Sequence, residues 1–287
     1  MNALMNALMN HMRRHVSKYA SKFWLCAVFA FLYAPLLFLV VFSFNSTRQD
    51  ALFTGFSTRW YAALADDPRL VDGFFLSLKV ALISATLATI LATLAAYALV
   101  RLGKFRGQTF FSGMVNAPLV MPEVIIGMSL LLLMAGAQHA IGWPERGMLS
   151  IIFGHILLGM AYATVVMRSR LLEMDRSLEE AAMDLGCRPG QVFFLVTLPN
   201  IIPALIAAWL LTFTLSFDDV VVSEFLSGPG VTTLPQVIFS YARRGVNPSI
   251  YAAATLLLMV VTITVIAYSV YVARVAKRMS KNQKTCN

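Results

Sequence analysis

Charged side chains are scarce in this chain. Only 13% of its 287 residues are Asp, Glu, Lys or Arg, against roughly 25% in an average soluble protein. A soluble domain of this length needs a polar shell, and there are too few charges here to make one. Acids are the scarcer sign, 14 against 23 Lys and Arg, for a net charge of +9. In a soluble protein that balance suggests nucleic acid. Here the Lys and Arg stand beside apolar runs and form no separate basic domain, so no nucleic-acid partner is expected. Cysteine is limited to Cys26, Cys187 and Cys286, scattered and without metal-ligand spacing, so neither a disulfide nor a metal site is expected. His139 and His155 lack the HExxH spacing of a zinc site, and no GxSxG occurs. Asp218 and Asp219 are adjacent, not the separated pair on different helices that a membrane aspartyl protease needs. No catalytic residue is assigned and no enzyme is expected. The phosphate-cradling GxxxxGK[ST] loop is also missing, so the chain cannot bind ATP that way, and no cofactor of its own is expected.

What is present is apolar. Hydrophobic residues make up 59% of the chain, and they come in long runs. A span of the bilayer needs about 20 apolar residues, and six segments qualify: 23–44, 74–100, 110–136, 149–168, 200–226 and 250–273. The expected fold class is therefore all-α and membrane-integral, with six transmembrane helices. The first run follows a basic stretch as a signal peptide would, but it is too long and no A-x-A site follows; it reads as a retained anchor. Residues 1–22, which repeat MNAL at 1–4 and 5–8, read as a disordered cytoplasmic segment, 23–273 as the membrane domain and 274–287 as a basic cytoplasmic tail.

Lys and Arg set the orientation. With the N-terminus inside, the inner segments hold Arg13, Arg14, Lys18 and Lys22; Arg101, Lys104 and Arg106; Arg168, Arg170, Arg176 and Arg188; and Arg274, Lys277, Arg278, Lys281 and Lys284. The outer loops hold Arg48, Arg59, Arg69, Arg146, Arg243 and Arg244. Sixteen against six places both termini in the cytoplasm.

Two runs are irregular. The third contains Pro118 and Pro122, followed by Glu123; the fifth opens with Pro199 and Pro203 and closes with Asp218, Asp219 and Glu224. Proline removes a backbone donor, which lipid tolerates only where protein or water satisfies the freed groups. Two readings stand, plain packing kinks or helices facing a water-filled path. Ionisable groups inside a span are functional candidates by default. Glu123 lies about 20 Å into the third run from Phe110. On a continuous helix Asp218 and Phe225 share one face, and Phe217 and Glu224 an adjacent one. Carboxylates beside aromatic rings suit an ammonium ion. The other reading is that these acids only end a helix near the outer headgroups.

The longest inner loop, 169–199, carries the strongest signal. Ser177 and Glu180 fit a capping box starting a helix at Leu178. Gly186 stops that helix, and Pro189 opens the next. An ordinary connector lying on headgroups is usually basic; this one has Glu173, Asp175, Glu179, Glu180 and Asp184. A short acidic helix of this kind suits a groove on a soluble partner.

Residues 180–199 resemble the signature of permease subunits in ABC importers: Glu-Ala-Ala, three residues, Gly, nine residues, Ile, one residue, Leu-Pro. The chain has Glu180, Ala181, Ala182, Gly186, then Val196 for Ile, then Leu198 and Pro199. The resemblance implies the type I ABC importer permease fold, with those residues forming a coupling helix seated in a cleft of an ATPase. It also implies a second, homologous permease subunit, an ATPase dimer carrying ATP and Mg, and a periplasmic binding protein, all at the bacterial inner membrane. Longer stretches, STRWY (57–61), APLVMPEVIIGMSLLLL (117–133), LSFDDVVVSEF (215–225), SGPGVTTLP (227–235) and GVNPSIYAAAT (245–255), resemble permeases of polyamine importers, the putrescine members most. On that resemblance the solute is a polyamine, and the pathway candidates are Asp218, Asp219, Glu224, Glu123, Phe217 and Phe225. Spermidine remains an alternative, as does an unrelated ion; an anion path, however, would want Arg or helix N-termini.

Overall fold

The computed structural model describes residues 2–47, 52–243 and 248–285. Arg48 and Arg244, counted above with the outer loops, lie outside the described residues, as does Cys286. Helices dominate, in the order α1 (Asn2–Phe42), α2 (Arg59–Ala65), α3 (Pro68–Arg101), α4 (Gln108–Val120), α5 (Glu123–Ile141), α6 (Met148–Glu173), α7 (Ser177–Asp184), α8 (Pro189–Val192), a π-helix (Phe193–Thr197), α9 (Leu198–Phe217), α10 (Val221–Leu226), α11 (Leu234–Arg243) and α12 (Pro248–Thr285). Among the described residues, six stretches are long and apolar enough to cross a membrane: Lys22–Phe42, Pro68–Arg101, Glu123–Ile141, Met148–Glu173, Pro189–Phe217 and Ser249–Tyr271.

Three boundaries differ from the sequence reading. Helix α1 reaches back to Asn2, where disorder was expected; the Ala, Leu and Met of the MNAL repeats are strong helix formers. The third run is not one helix. Met121 is extended, with φ −82° and ψ 139°, because the ring of Pro122 disfavours helical geometry in the residue before it. Helix α5 then starts afresh, with Glu123 in its first turn. Helix α4 alone has 13 residues, about 20 Å of rise, too short to span. The fifth run breaks after Phe217, and a six-residue helix follows from Val221.

The chain forms two compact units, residues 1–64 with 246–255, and residues 65–245 with 256–287. In the first, the residues after α1 close on Asn45. Its backbone pairs with Phe56, its amide donates to Leu52 O at 2.9 Å, and its carbonyl accepts the Trp60 indole N–H at 2.7 Å. Phe44 stacks on Phe56 at 5.2 Å.

In the second unit α3, α6 and α9 pack around one another. Helix α3 buries small residues along one stripe, among them Ser77, Ala81, Ala85, Ala88, Ala92 and Ala96. Between apolar helices in lipid there is little hydrophobic drive, so close backbone approach matters more. Gly159 of α6 marks one close approach to both α3 and α9. A Cβ there would stand 3.1 Å from Ala88 Cβ and 3.2 Å from Thr212 Cγ2. Toward one end the core is Ala96, Val100, Met167, Leu171 and Ile201; toward the other it is Val80, Ile151, Val222 and Leu226.

At this second end, the segment between α5 and α6 is tied to the one between α10 and α11. Arg146 Nη2 donates to Ser227 O at 3.0 Å and to Phe225 O at 3.3 Å. A methyl group on Gly228 would collide with the Arg146 carbonyl, and backbone cannot swing aside as a side chain can. Gly228→Ala is therefore expected to cost about 1–3 kcal/mol. It should lower the thermal unfolding midpoint of the purified protein, whereas Gly113→Ala, where a Cβ meets nothing within 4 Å, should not.

Candidate functional site

The pathway candidates gather at the break between α9 and α10. The Phe217-Asp218-Asp219 sequence ends α9 because Asp competes for backbone groups inside a helix and favours helix starts. Asp219 does this here. Its Oδ2 accepts the Ser223 N–H at 2.7 Å, and its Oδ1 accepts the Val222 N–H at 3.3 Å. His155 of α6 completes the arrangement. Its Nε2 lies 3.1 Å from Asp219 Oδ2 and 3.1 Å from Ser223 Oγ, and its Nδ1 lies 2.6 Å from Ser216 Oγ. A carboxylate only accepts, so Nε2 is the donor in the contact with Asp219. Both side chains are buried, at 2% and 9% exposure.

The structure sorts the six candidates. Asp218 is exposed and close enough to Asp219, Glu123 and His155 to interact with each electrostatically. Glu123 is brought there by the start of α5, not by depth in a continuous span. Glu224 accepts from Gln236 Nε2 at 3.1 Å. Phe225 packs over Gly127 of α5, where an added Cβ would sit 2.5 Å from its ring. Phe217 is fully buried, stacked on Phe213 at 5.7 Å and edge-on to Phe74 at 6.1 Å, so it is core and offers no ring to a passing ammonium in this conformation. The shared helical faces expected for these residues do not exist, because the helix breaks between them. The HExxH test applied to the sequence gives His155 no role. The signal that finds it is the general one, an ionisable group within a span.

The loop 169–199 forms the second candidate region. Helix α7 is present, but the Ser177–Glu180 capping box is not made. Asp175 does the capping, its Oδ1 accepting the Ser177 N–H at 3.0 Å, which holds the Asp175 carboxyl below its usual pKa. Gly186 ends the helix with φ +90°, a backbone conformation open to glycine at little cost. Pro189 opens α8, and Arg188 N–H donates to Gln191 Oε1 at 2.8 Å. The chain then runs through the π-helix into α9, with Leu198 and Pro199 in its first turn. Glu180, Ala181, Met183 and Leu185 are exposed and Ala182 is half-buried, leaving one side of α7 uncovered. Glu179, outside the motif, is the buried acid: its carboxylate pairs with Arg101 at 2.8 Å and accepts from Thr197 Oγ1 at 2.6 Å. Among the described residues no group of three or more His, Cys, Asp or Glu is placed to hold a metal.

Solved structures share this architecture. An ABC transporter involved in import of the acidic polysaccharide alginate aligns with a TM-score of 0.73 at 15% identity, covering 94% of this chain and 98% of that one. The MetNI methionine ABC transporter, in inward-facing form, aligns with a TM-score of 0.61 at 20% identity, covering 72% and 95%. At such identities the likeness defines the fold, that of an ABC transporter membrane subunit. The chain belongs to the family of binding-protein-dependent transport system inner membrane components, which matches residues 86–281. It is 56% identical over 231 residues to the putrescine transport system permease protein PotI of Escherichia coli (strain K12), covering 80% of this chain and 82% of that protein. It is 40% identical over 243 residues to the spermidine/putrescine transport system permease protein PotC of the same organism, covering 84% and 89%.

The geometry separates the two adjacent aspartates. Asp219→Asn keeps one carbonyl acceptor where two oxygens now serve backbone N–H groups and an imidazole, so about 1–3 kcal/mol of stability should be lost. Asp218→Asn should change thermal stability little. Unfolding of the purified protein, followed by heat, checks the difference; equal losses would remove the capping role.

Proposed function

We propose that this chain is one of two membrane subunits of an ATP-binding-cassette importer that carries putrescine across the bacterial inner membrane. The observation that carries the reading is the 56% identity to a putrescine permease over 80% of the chain. The higher identity to that protein than to the spermidine/putrescine permease favours putrescine over spermidine. The carboxylates at the α9–α10 break support a cationic solute over an unrelated anion. A diammonium ion leaving water needs negative charge or oriented dipoles in place of its hydration. Asp218, Glu123, Asp219 and Glu224, with the Phe225 ring, supply these. A second, homologous permease subunit completes the path, and a periplasmic polyamine-binding protein delivers the solute.

The energy comes from a dimer of ATPase subunits, which hold ATP and Mg. The chain itself carries no catalytic residue, cofactor or metal. The ATPase docks on 169–199, where Glu180, Ala181, Ala182 and Gly186 form the coupling helix and Leu198 and Pro199 lead back into the membrane. Both termini are cytoplasmic, with 1–22 and 274–287 flanking the membrane domain 23–273.

Uptake of labelled putrescine against labelled spermidine, in cells carrying the full set of subunits, tests the solute. Putrescine should be preferred, and equal or preferential spermidine uptake would overturn the assignment. Asp218→Asn should weaken putrescine uptake about tenfold at low substrate concentration, since a charge-assisted hydrogen bond contributes roughly 1.5–3 kcal/mol. The complex should still be present in the membrane at parental levels. Orientation is checked separately by labelling from outside with a membrane-impermeant thiol reagent. A cysteine at Pro229 should react and cysteines at Gly103 or Met183 should not; reaction at Met183 would reverse the topology and remove the docking loop from the cytoplasm.

A further inference from the structure

Glu179 sits one residue before the Glu-Ala-Ala motif and points the other way. It is 7% exposed, while Glu180 faces outward. A buried carboxylate is costly unless paired and fully hydrogen-bonded, and Glu179 is paired on two sides. Its Oε2 lies 2.8 Å from Arg101 Nε at the last residue of α3. Its Oε1 accepts the Thr197 hydroxyl at 2.6 Å. Two further contacts tie the same corner. Arg101 Nη2 donates to Met174 O at 3.2 Å, between α6 and α7, and Arg176 Nη2 donates to Val100 O at 2.6 Å.

The partner of Glu179 matters because of where it lies. Thr197 is the last residue of the π-helix Phe193–Thr197, in which Leu198 N–H bonds to Phe193 O, five residues back. A π-turn carries an extra residue per turn and marks places where helices change register. Pro199 and Pro203 follow at once, and neither can donate a backbone hydrogen bond, so this end of α9 is the easier one to reshape. Beyond it α9 runs uninterrupted to Phe217, about 30 Å at 1.5 Å per residue. Its far end is the Asp218–Asp219 break.

We propose that Glu179 is the positioning residue through which the docking helix moves the substrate end of the path. It latches α7 to the π-turn at Thr197, and α9 carries displacement of that turn as a rod to the carboxylate cluster. Arg101 gives the latch its fulcrum on α3, the helix packed most closely against α6 and α9. Glu180 and its exposed neighbours meet the ATPase; Glu179 passes the motion inward. The proposal rests on the reading that 169–199 docks an ATPase.

The test uses the complete complex with its ATPase, second permease and binding protein in lipid vesicles. Glu179→Gln keeps shape and removes charge. Thr197→Val is isosteric and removes the hydroxyl, and Thr197→Ser restores it. The measured quantity is putrescine imported per ATP hydrolysed, a ratio that a mere loss of folded complex leaves unchanged. Glu179→Gln and Thr197→Val should each lower it at least threefold, and Thr197→Ser should return it to the parental value. A second arm needs no solute. In a background with Cys26, Cys187 and Cys286 replaced by serine, a cysteine at Leu211 on α9 should change thiol reactivity when ATP is added, and Thr197→Val should abolish the change. Parental ratios or a preserved reactivity change in the variants would overturn the latch. A parent with no ATP-dependent change would overturn it together with the docking reading. A parent that shows the change but imports no putrescine would sink only the choice of solute, and the second arm would still decide the latch.

Discussion

A backbone N–H that leaves its helix inside hydrocarbon has no water to bond with. Every break in a spanning helix must therefore be closed by the protein or lie against a water-filled path. This constraint organises the region around the α9–α10 break. The chain stops being helical after Phe217, and the first N–H groups of α10 would be left open. Asp219 takes two of them. A carboxylate held at that depth needs a partner in turn, and α6 supplies His155, whose other nitrogen meets Ser216 on α9 itself. The ring thus bridges the helix before the break and the helix after it. Removing His155 takes a hydrogen-bond partner from both Asp219 and Ser216.

The same constraint explains why small residues dominate where the helices cross. To hand hydrogen bonds from α6 to α9 and α10, the backbones must be close. Gly154 makes room for Leu226 and Val222 of α10, with an added Cβ 2.5 and 2.8 Å from their side chains. Gly159 does so for α3 and α9 one turn further on. Thr89 and Thr212 add a hydroxyl contact at 3.4 Å between α3 and α9. Large side chains on α3 point outward instead, as Phe75, Ile90 and Leu94 do. Glycine and alanine in these helices are positions of approach and set the scale on which the buried network can form.

Local chemistry was legible in the sequence, and non-local pairing was not. The six apolar runs, the αL residue at Gly186 and the helix start at Pro189 each follow from a few adjacent residues. The break at Pro122 was also available locally, since proline restricts the residue before it; reading the apolar run as one span hid it. Glu179 and Glu180 look alike in a linear reading, and only the approach of Arg101, far earlier in the chain, buries one and leaves the other outside. His155 and Asp219 are 64 residues apart, and nothing in either neighbourhood announces the other. Helices that are apolar all round carry no amphipathic stripe, so the sequence does not say which face of α9 is core. That is how Phe217, buried against Phe74 and Phe213, came to be placed with the pathway residues.

The carboxylates differ in what they are free to do. Asp219 spends its oxygens on two amides and a ring, and Glu224 is held by Gln236, so neither can reorient without breaking a hydrogen bond. Asp218 is exposed, with Asp219 and Glu123 as like-charged neighbours. Like charges at short range raise one another's free energy in the ionised form, and the fold holds them together all the same, through the start of α5 on one side and the end of α9 on the other. A cation arriving at that point relieves the repulsion, while a neutral solute does not. Because the two acids come from different helices, the relief depends on how far apart α5 and α9 stand. A small displacement of α9 would change the attraction for a diammonium ion without any residue having to ionise or turn. In the proposed importer that is the useful property of a path, one that holds its solute in one arrangement of the helices and lets it go in the other.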